Sequence, residues 1–225
     1  MTACSVAAFP AQVVPSIQDL LLDGVVDAEW NDAATFFTTT YSTSTCEPEH
    51  GYPLKILVKH DNKYLYIAIL ETRILSWNPM AWMCFDVQDR NKLYSKGDDS
   101  VVLPITGGAI LSDIDRGYYK DGLLPARTAG PWQAYGSPPK KDTSLGGTND
   151  KWGAARVSEN GYTFEMKIDM ASGDHNHGSD LQLHSGKSIS VSFGLMDNRL
   201  DSLIVSTITP KLLYLASKKT DLSIE

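Results

Sequence analysis

The most constraining feature of the sequence is a two-residue rhythm. In Tyr162-Thr163-Phe164-Glu165-Met166-Lys167-Ile168 every second side chain is apolar. Successive side chains of a strand point to opposite faces. Tyr162, Phe164, Met166 and Ile168 therefore share one face, and Thr163, Glu165 and Lys167 the other. Such alternation predicts a sheet with one face on a core and one in water. Glu159-Asn160-Gly161 precedes this run, and Ala154-Ala155-Arg156-Val157-Ser158 precedes the turn. Asn-Gly is a strong turn dipeptide, so the whole reads as a hairpin.

Other segments repeat the pattern. Leu54 to His60, the turn Asp61-Asn62-Lys63 and Tyr64 to Leu70 predict a second hairpin, since Asp and Asn tolerate left-handed backbone. Runs at 81–87, 100–105 and 188–195 read as strands, the last with the same alternation. Ile204 to Leu215 predicts one or two more, broken at Pro210. Helical periodicity is weak; Ile17 to Leu22 offers a single turn before Gly24. Many short strands with turn signals and few helices predict an all-β protein, a β-sandwich. Residues 107–151 are rich in Gly and Pro with little apolar rhythm, and are expected to form a long loop excursion from one domain. The predicted organisation is an N-terminal extension, 1–16, and a single sandwich domain, 17–225.

Composition excludes several classes. The 225 residues carry 20 Lys+Arg and 27 Asp+Glu, a net charge of −7. That balance argues against a nucleic-acid partner, which needs a basic face. No run approaches the roughly 20 apolar residues of a membrane-spanning helix. Residues 1–12 lack a basic n-region, and their apolar run is short for a secretory signal. The chain is then either cytoplasmic or a mature form whose signal was removed. Three cysteines, Cys4, Cys46 and Cys84, allow one disulfide at most. Cys84 lies in a strand-like run and is expected to be a buried small hydrophobe. There is no nucleophile elbow, no zinc-protease motif and no phosphate loop, and no carboxylate spacing marks an acid/base pair. The expectation is that the chain is not an enzyme.

Leu21-Leu22-Asp23-Gly24-Val25-Val26-Asp27-Ala28-Glu29-Trp30, followed by Lys63-Tyr64-Leu65-Tyr66-Ile67-Ala68, resembles the start of family 9 carbohydrate-binding modules. The second half, with Trp152, Phe164, Gly173-Asp174, Asp180, Leu183, Gly186 and Ser190-Val191-Ser192-Phe193, is similar to the haem-binding subunit of ethylbenzene-dehydrogenase and dimethyl-sulfoxide-reductase-type enzymes. Together these span about Ile17 to Leu215, apart from the excursion. The resemblance implies an immunoglobulin-like antiparallel β-sandwich of the DOMON-like kind. It also implies an extracellular, periplasmic or cell-surface location and a binding role. It makes calcium the first candidate cofactor and haem b an alternative. In the haem-binding relatives a Met from a Met-Gly-Asp segment and a later Lys hold the iron. The matching segment here, Tyr94-Ser95-Lys96-Gly97-Asp98-Asp99, lacks the Met. Met80 and Met83 lie nearby in sequence and Lys211 further on, but Met83 suits an ordinary core position.

Three acidic clusters are candidate metal sites. Asp113, Asp115 and Asp121 surround Gly117 in a calcium-loop-like spacing, although Arg116 is misplaced and the bidentate Glu is lacking. Asp86, Asp89, Asp98 and Asp99 form the second. The third combines Asp169, Asp174 and Asp180 with His175 and His177; the two imidazoles with Asp174 and Asp180 suit zinc or copper. The plain alternative for each is a solvated turn, where Asp is common. Trp132, Tyr135, Trp77 and Trp82 are candidate sugar platforms, because a pyranose stacks its C–H face on aromatic rings. Trp30 and Trp152 are expected to plug the core instead. The partner expected from this set is a carbohydrate or cell-surface glycan. A self-assembling surface-layer or filament subunit is the further alternative. There the uncharged segment Ser5 to Val14 would pair with a sheet edge on a neighbour; the competing reading is an unpaired terminus.

Overall fold

Alternating sequences become strands, and the strands set the architecture. The computed structural model describes residues 8–13, 20–39, 41–42, 53–73, 75, 79–85, 99–105, 112–115, 140–141, 150–171, 181–197, 204–206 and 211–216. In chain order the strands are β1 (Ala8–Val13), β2 (Ala34–Thr39), β3 (Tyr41–Ser42), β4 (Pro53–His60), β5 (Tyr64–Glu71), β6 (Pro79–Phe85) and β7 (Asp99–Pro104). They continue with β8 (Ser112–Asp115), β9 (Lys140–Lys141), β10 (Lys151–Ser158), β11 (Gly161–Asp169), β12 (Ser188–Asp197), β13 (Ile204–Ser206) and β14 (Lys211–Leu215). Among the described residues the sole helical element is a 3-10 turn, Ala28–Trp30. No helix there is long and apolar enough to cross a membrane.

The strands form two antiparallel sheets. The first runs β10-β11-β5-β4, with β2 on the far side of β4. The second runs β14-β12-β6-β7-β8-β9, with β13 and then β3 joined at β12. β1 lies between β4 and β14 and is parallel to both. The fold is thus the all-β sandwich that the two-residue rhythm predicts. The excursion contributes β8 and β9 to the second sheet, so the expected loop is partly strand. The N-terminal extension supplies β1.

Register explains the core. Phe164 faces Ile69, which faces Ile56; Met166 faces Ile67, which faces Val58. In the second sheet Phe193 faces Met83, which faces Val101. All of these are buried in one cluster, and Phe36 meets Phe193 at 5.5 Å between ring centroids. Met80, Met83 and Cys84 are buried, as expected for β6. The serines of β12 depart from expectation. Ser192 is only 1% exposed although it alternates with core residues, so that face of the second sheet is covered rather than wet.

A second apolar layer lies on the outside of the first sheet. Residues 20–33 cross its outer face, and Leu20 and Trp30 pack on Leu57, Tyr66 and Ala68. The outer face of the alternating hairpin is therefore partly dry, which the sequence pattern alone does not show.

Turn chemistry fixes both hairpins. Asn62 adopts φ 71°, and the Asp61 carboxylate accepts from the amides of Lys63 and Tyr64 at 2.9 and 2.7 Å. Gly161 has φ 116°, and a Cβ there would sit 1.9 Å from the Glu71 carbonyl oxygen. The contact is with backbone, so no side-chain movement relieves it. Gly161→Ala is expected to cost about 2 kcal/mol or more, read as a lower denaturant midpoint.

Candidate functional site

The sequence candidates fall into three groups. Trp77, Trp132, Tyr135, Asp86, Asp89, Asp98, Asp121, Asp174, His175, His177 and Asp180 lie outside the described residues. Trp82 is placed in β6, between Gly194 of β12 and Val102 of β7. Asp99, Asp113 and Asp115 are placed in β7 and β8. Here the register joins two clusters that the sequence keeps apart: Asp99 is the direct partner of Asp115, and Asp113 faces Val101. Lys140 of β9 is the partner of Asp115 on its other side. Among the described residues no group of three or more His, Cys, Asp or Glu converges on one point.

Trp30 and Trp152 have opposite fates, and neither plugs the sandwich core: Trp30 is buried in the outer apolar layer, and Trp152 is exposed. Lys151 faces Ile168 and is buried, so its neighbour Trp152 must face outward, opposite Lys167. Trp152 is 39% exposed. The row across the sheet reads Trp152, Lys167, Tyr66, Lys59, alternating ring and ammonium. Tyr64 sits edge-on to Trp152 at 5.9 Å and 90°. The Lys167 ammonium lies 5.0 Å from the Trp152 ring and 4.7 Å from that of Tyr64. Lys63 approaches the Tyr64 ring at 4.6 Å. Asp169 is the strand partner of Tyr64, and Asp61 accepts from the Tyr66 hydroxyl at 2.9 Å. The result is an outward-facing patch of two aromatic rings with ammonium and carboxylate groups at its border. Cation–π contacts hold the rings in place.

Trp30 is buried, and its indole N–H donates to Glu165 Oε1 at 2.7 Å. Glu165 Oε2 accepts from the amides of Gly24 at 2.7 Å and Asp23 at 3.0 Å. Glu165 belongs to the face predicted to be wet, yet it is fully buried because residues 20–33 cover it. Burial raises the Glu165 pKa from its ordinary value, and the donors from Gly24, Trp30 and Asp23 oppose that rise. Gly24 has φ 79°, and a Cβ there would lie 2.5 Å from Cβ of Arg156. Asp27 caps the 3-10 turn by accepting from the Glu29 amide at 3.0 Å. The Asp-Gly, Asp and Trp of the opening segment thus form a latch closed on one carboxylate. Lys59 extends it: its ammonium donates to the Glu29 carbonyl and to Asp32 at 3.2 Å, and lies 5.4 Å from the Trp30 ring. Sequence reading missed Glu165, although a buried indole N–H calls for an acceptor.

Further ionisable groups are buried as well. Lys151 donates to Asp150 at 2.9 Å, both buried. His60 is buried at the end of β4, where Val13 of β1 is its strand partner. Neither of its ring nitrogens has a hydrogen-bond partner among the described residues. Desolvation lowers its pKa below the ordinary 6.5, against smaller opposing effects of the Ala216 backbone and Asp61. The latch and the buried pair use polar atoms internally, whereas the Trp152–Tyr64 patch joins an exposed ring to neighbouring charged groups. No protein-family model matches the chain, and comparison with curated proteins gives no match.

Two outcomes are expected. Glu165→Ala strands three donors and should cost about 3 kcal/mol; Trp30→Phe removes one donor and should cost about 1 kcal/mol, both read from denaturant melts. For pH, the lowered His60 pKa means that the unfolded chain binds its proton more tightly. Its contribution is present above the ordinary 6.5 and is lost as pH falls below it. Glu165 has the opposite sign: its contribution is full below the ordinary 4.5 and is lost as pH rises through the raised folded value. His60→Met should flatten the fall in melting temperature between about pH 7 and about pH 5.

Proposed function

We propose that this chain is a non-catalytic, extracytoplasmic binding module for a glycan-like ligand, built on a DOMON-like, immunoglobulin-like sandwich. The observation that carries the reading is the outward patch of Trp152 and Tyr64. Soluble proteins expose few large rings without a reason when those rings are held in fixed orientation. An indole fixed by strand register offers a pyranose its face or edge, and Lys63, Lys167, Asp61 and Asp169 supply donors and acceptors for hydroxyls. Both signs of charge border the rings, which suits a neutral saccharide. Trp132, Tyr135, Trp77 and Trp82 stand as additional ring candidates for an extended ligand.

Calcium is the structural cofactor in this reading. What supports it is that Asp99 and Asp115 are direct strand partners, since a hard cation takes carboxylate oxygens as ligands.

A glycan array on the full chain tests the binding role. Trp152→Ala is expected to lower affinity at least about 10-fold with no loss of melting temperature, because the ring is outside both apolar clusters. Failure of the unmodified chain to bind any glycan overturns the reading. For calcium, chelation is expected to lower the melting temperature, and calcium, not magnesium, to restore it. An unchanged melting curve removes calcium from the account.

A further inference from the structure

β1 differs from every other strand. Both of its pairings are parallel: Ala8 to Ala11 run beside Leu212 to Leu215, and Gln12 and Val13 beside Lys59 and His60. All other strand pairs in the described chain are antiparallel. β14 pairs with β12 on one side and with β1 on the other. On β4, β2 covers Pro53 to Val58 and β1 takes over at Lys59. Removing β1 would therefore open one slot, bounded by the edge of β14 and the last two residues of β4. Leu213, Leu215 and His60 are buried along it.

The occupant of that slot is known, because the chain supplies it. It is a six-residue uncharged strand, Ala-Phe-Pro-Ala-Gln-Val, in parallel register. Pro10 has no amide proton, so its place opposite Tyr214 lacks one ladder donor. Residues 14–19 separate β1 from Leu20, where the latch segment begins. From Val13 to Leu20 the backbone reaches at most roughly 25 Å.

We propose that β1 is an exchangeable strand, and that the β4–β14 slot of one copy accepts β1 of a second copy of this chain. An exchanged strand makes the contacts of the resident strand, so the two states differ mainly in tethering. A short tether gives the resident strand an effective concentration on the order of millimolar. The resident strand dominates in dilute solution, and the exchanged strand gains when copies are packed densely, as on a surface. Head-to-tail exchange continues into a filament, and reciprocal exchange closes a dimer. The inference is independent of glycan binding, since the Trp152 patch lies on other strands.

Disulfide trapping tests it. Pro10 and Tyr214 are Cα partners, and Tyr214 is exposed. Full-length Pro10→Cys and Tyr214→Cys variants, each with Cys4→Ser and Cys46→Ser and one carrying a mass tag, are mixed. They are opened in mild denaturant, returned to native buffer and oxidised at about 10 μM and about 1 mM, below and near the tether's effective concentration. A tagged-to-untagged heterodimer is expected, several-fold more abundant at the higher concentration and in excess over either homodimer. The double variant Pro10→Cys/Tyr214→Cys is expected to close within one chain at the lower concentration. Closure in the double variant with no heterodimer in the mixture at either concentration overturns exchange. Heterodimer no more frequent than homodimers signals random collision and overturns it equally. No closure in the double variant overturns the slot itself.

Discussion

A carboxylate buried on the outer face of a sheet organises much of this molecule. Glu165 is shut off from bulk solvent, and an unmatched buried charge is costly. Its three donors all come from residues 23–30, a segment 135 to 142 positions away in sequence. Satisfying them draws that segment across β11 and β5, where Leu20 and Trp30 bury Leu57, Tyr66 and Ala68. The polar latch and the apolar layer depend on each other. Without the layer Glu165 would be hydrated and the latch weak; without the latch the segment would have only a thin apolar contact. Lys59 ties the same segment to β4 through Asp32 and the Glu29 carbonyl.

The strands of the two hairpins are legible because their signals are local. Alternation from Tyr162 to Ile168, the Asp61-Asn62-Lys63 turn and the Asn160-Gly161 dipeptide each act within a few residues, and the observed strands match them closely. What is not legible is what covers the strands. Glu165 sits between Phe164 and Met166 in a pattern that any half-wet strand would show, and only the distant Asp23-Gly24 and Trp30 make it buried. Trp152 shows the reverse error. A tryptophan is a good core residue by type, but a single register step beside Lys151 turns it outward. The pairing of Asp99 with Asp115 depends on which strands become neighbours, and nothing in the spacing of either cluster specifies that.

The distribution of ionisable groups separates support from display. Glu165, Lys59, His60 and the Asp150–Lys151 pair are buried and bound up with particular packing. Trp152 and Lys63 are exposed, and Tyr64 and Lys167 half-exposed, on or beside the first sheet. That division suits the binding role proposed above, in which a rigid scaffold fixes a small set of exposed groups. The polar interior also narrows the conditions in which the scaffold is firm, because His60 and Glu165 respond to pH with opposite sign.

The parallel pairing of β1 has a kinetic meaning as well. Ala8 to Ala11 find their partners at Leu212 to Leu215, so the backbone link between the two sheets through β1 is not made until some two hundred residues have been made. Contacts of such sequence separation form late and slow the closing of a fold. While the chain emerges, an uncharged strand waits beside hairpins that already offer open edges. A nascent molecule must hold this segment away from its neighbours until β14 arrives, and the same delay gives crowded chains time to find one another.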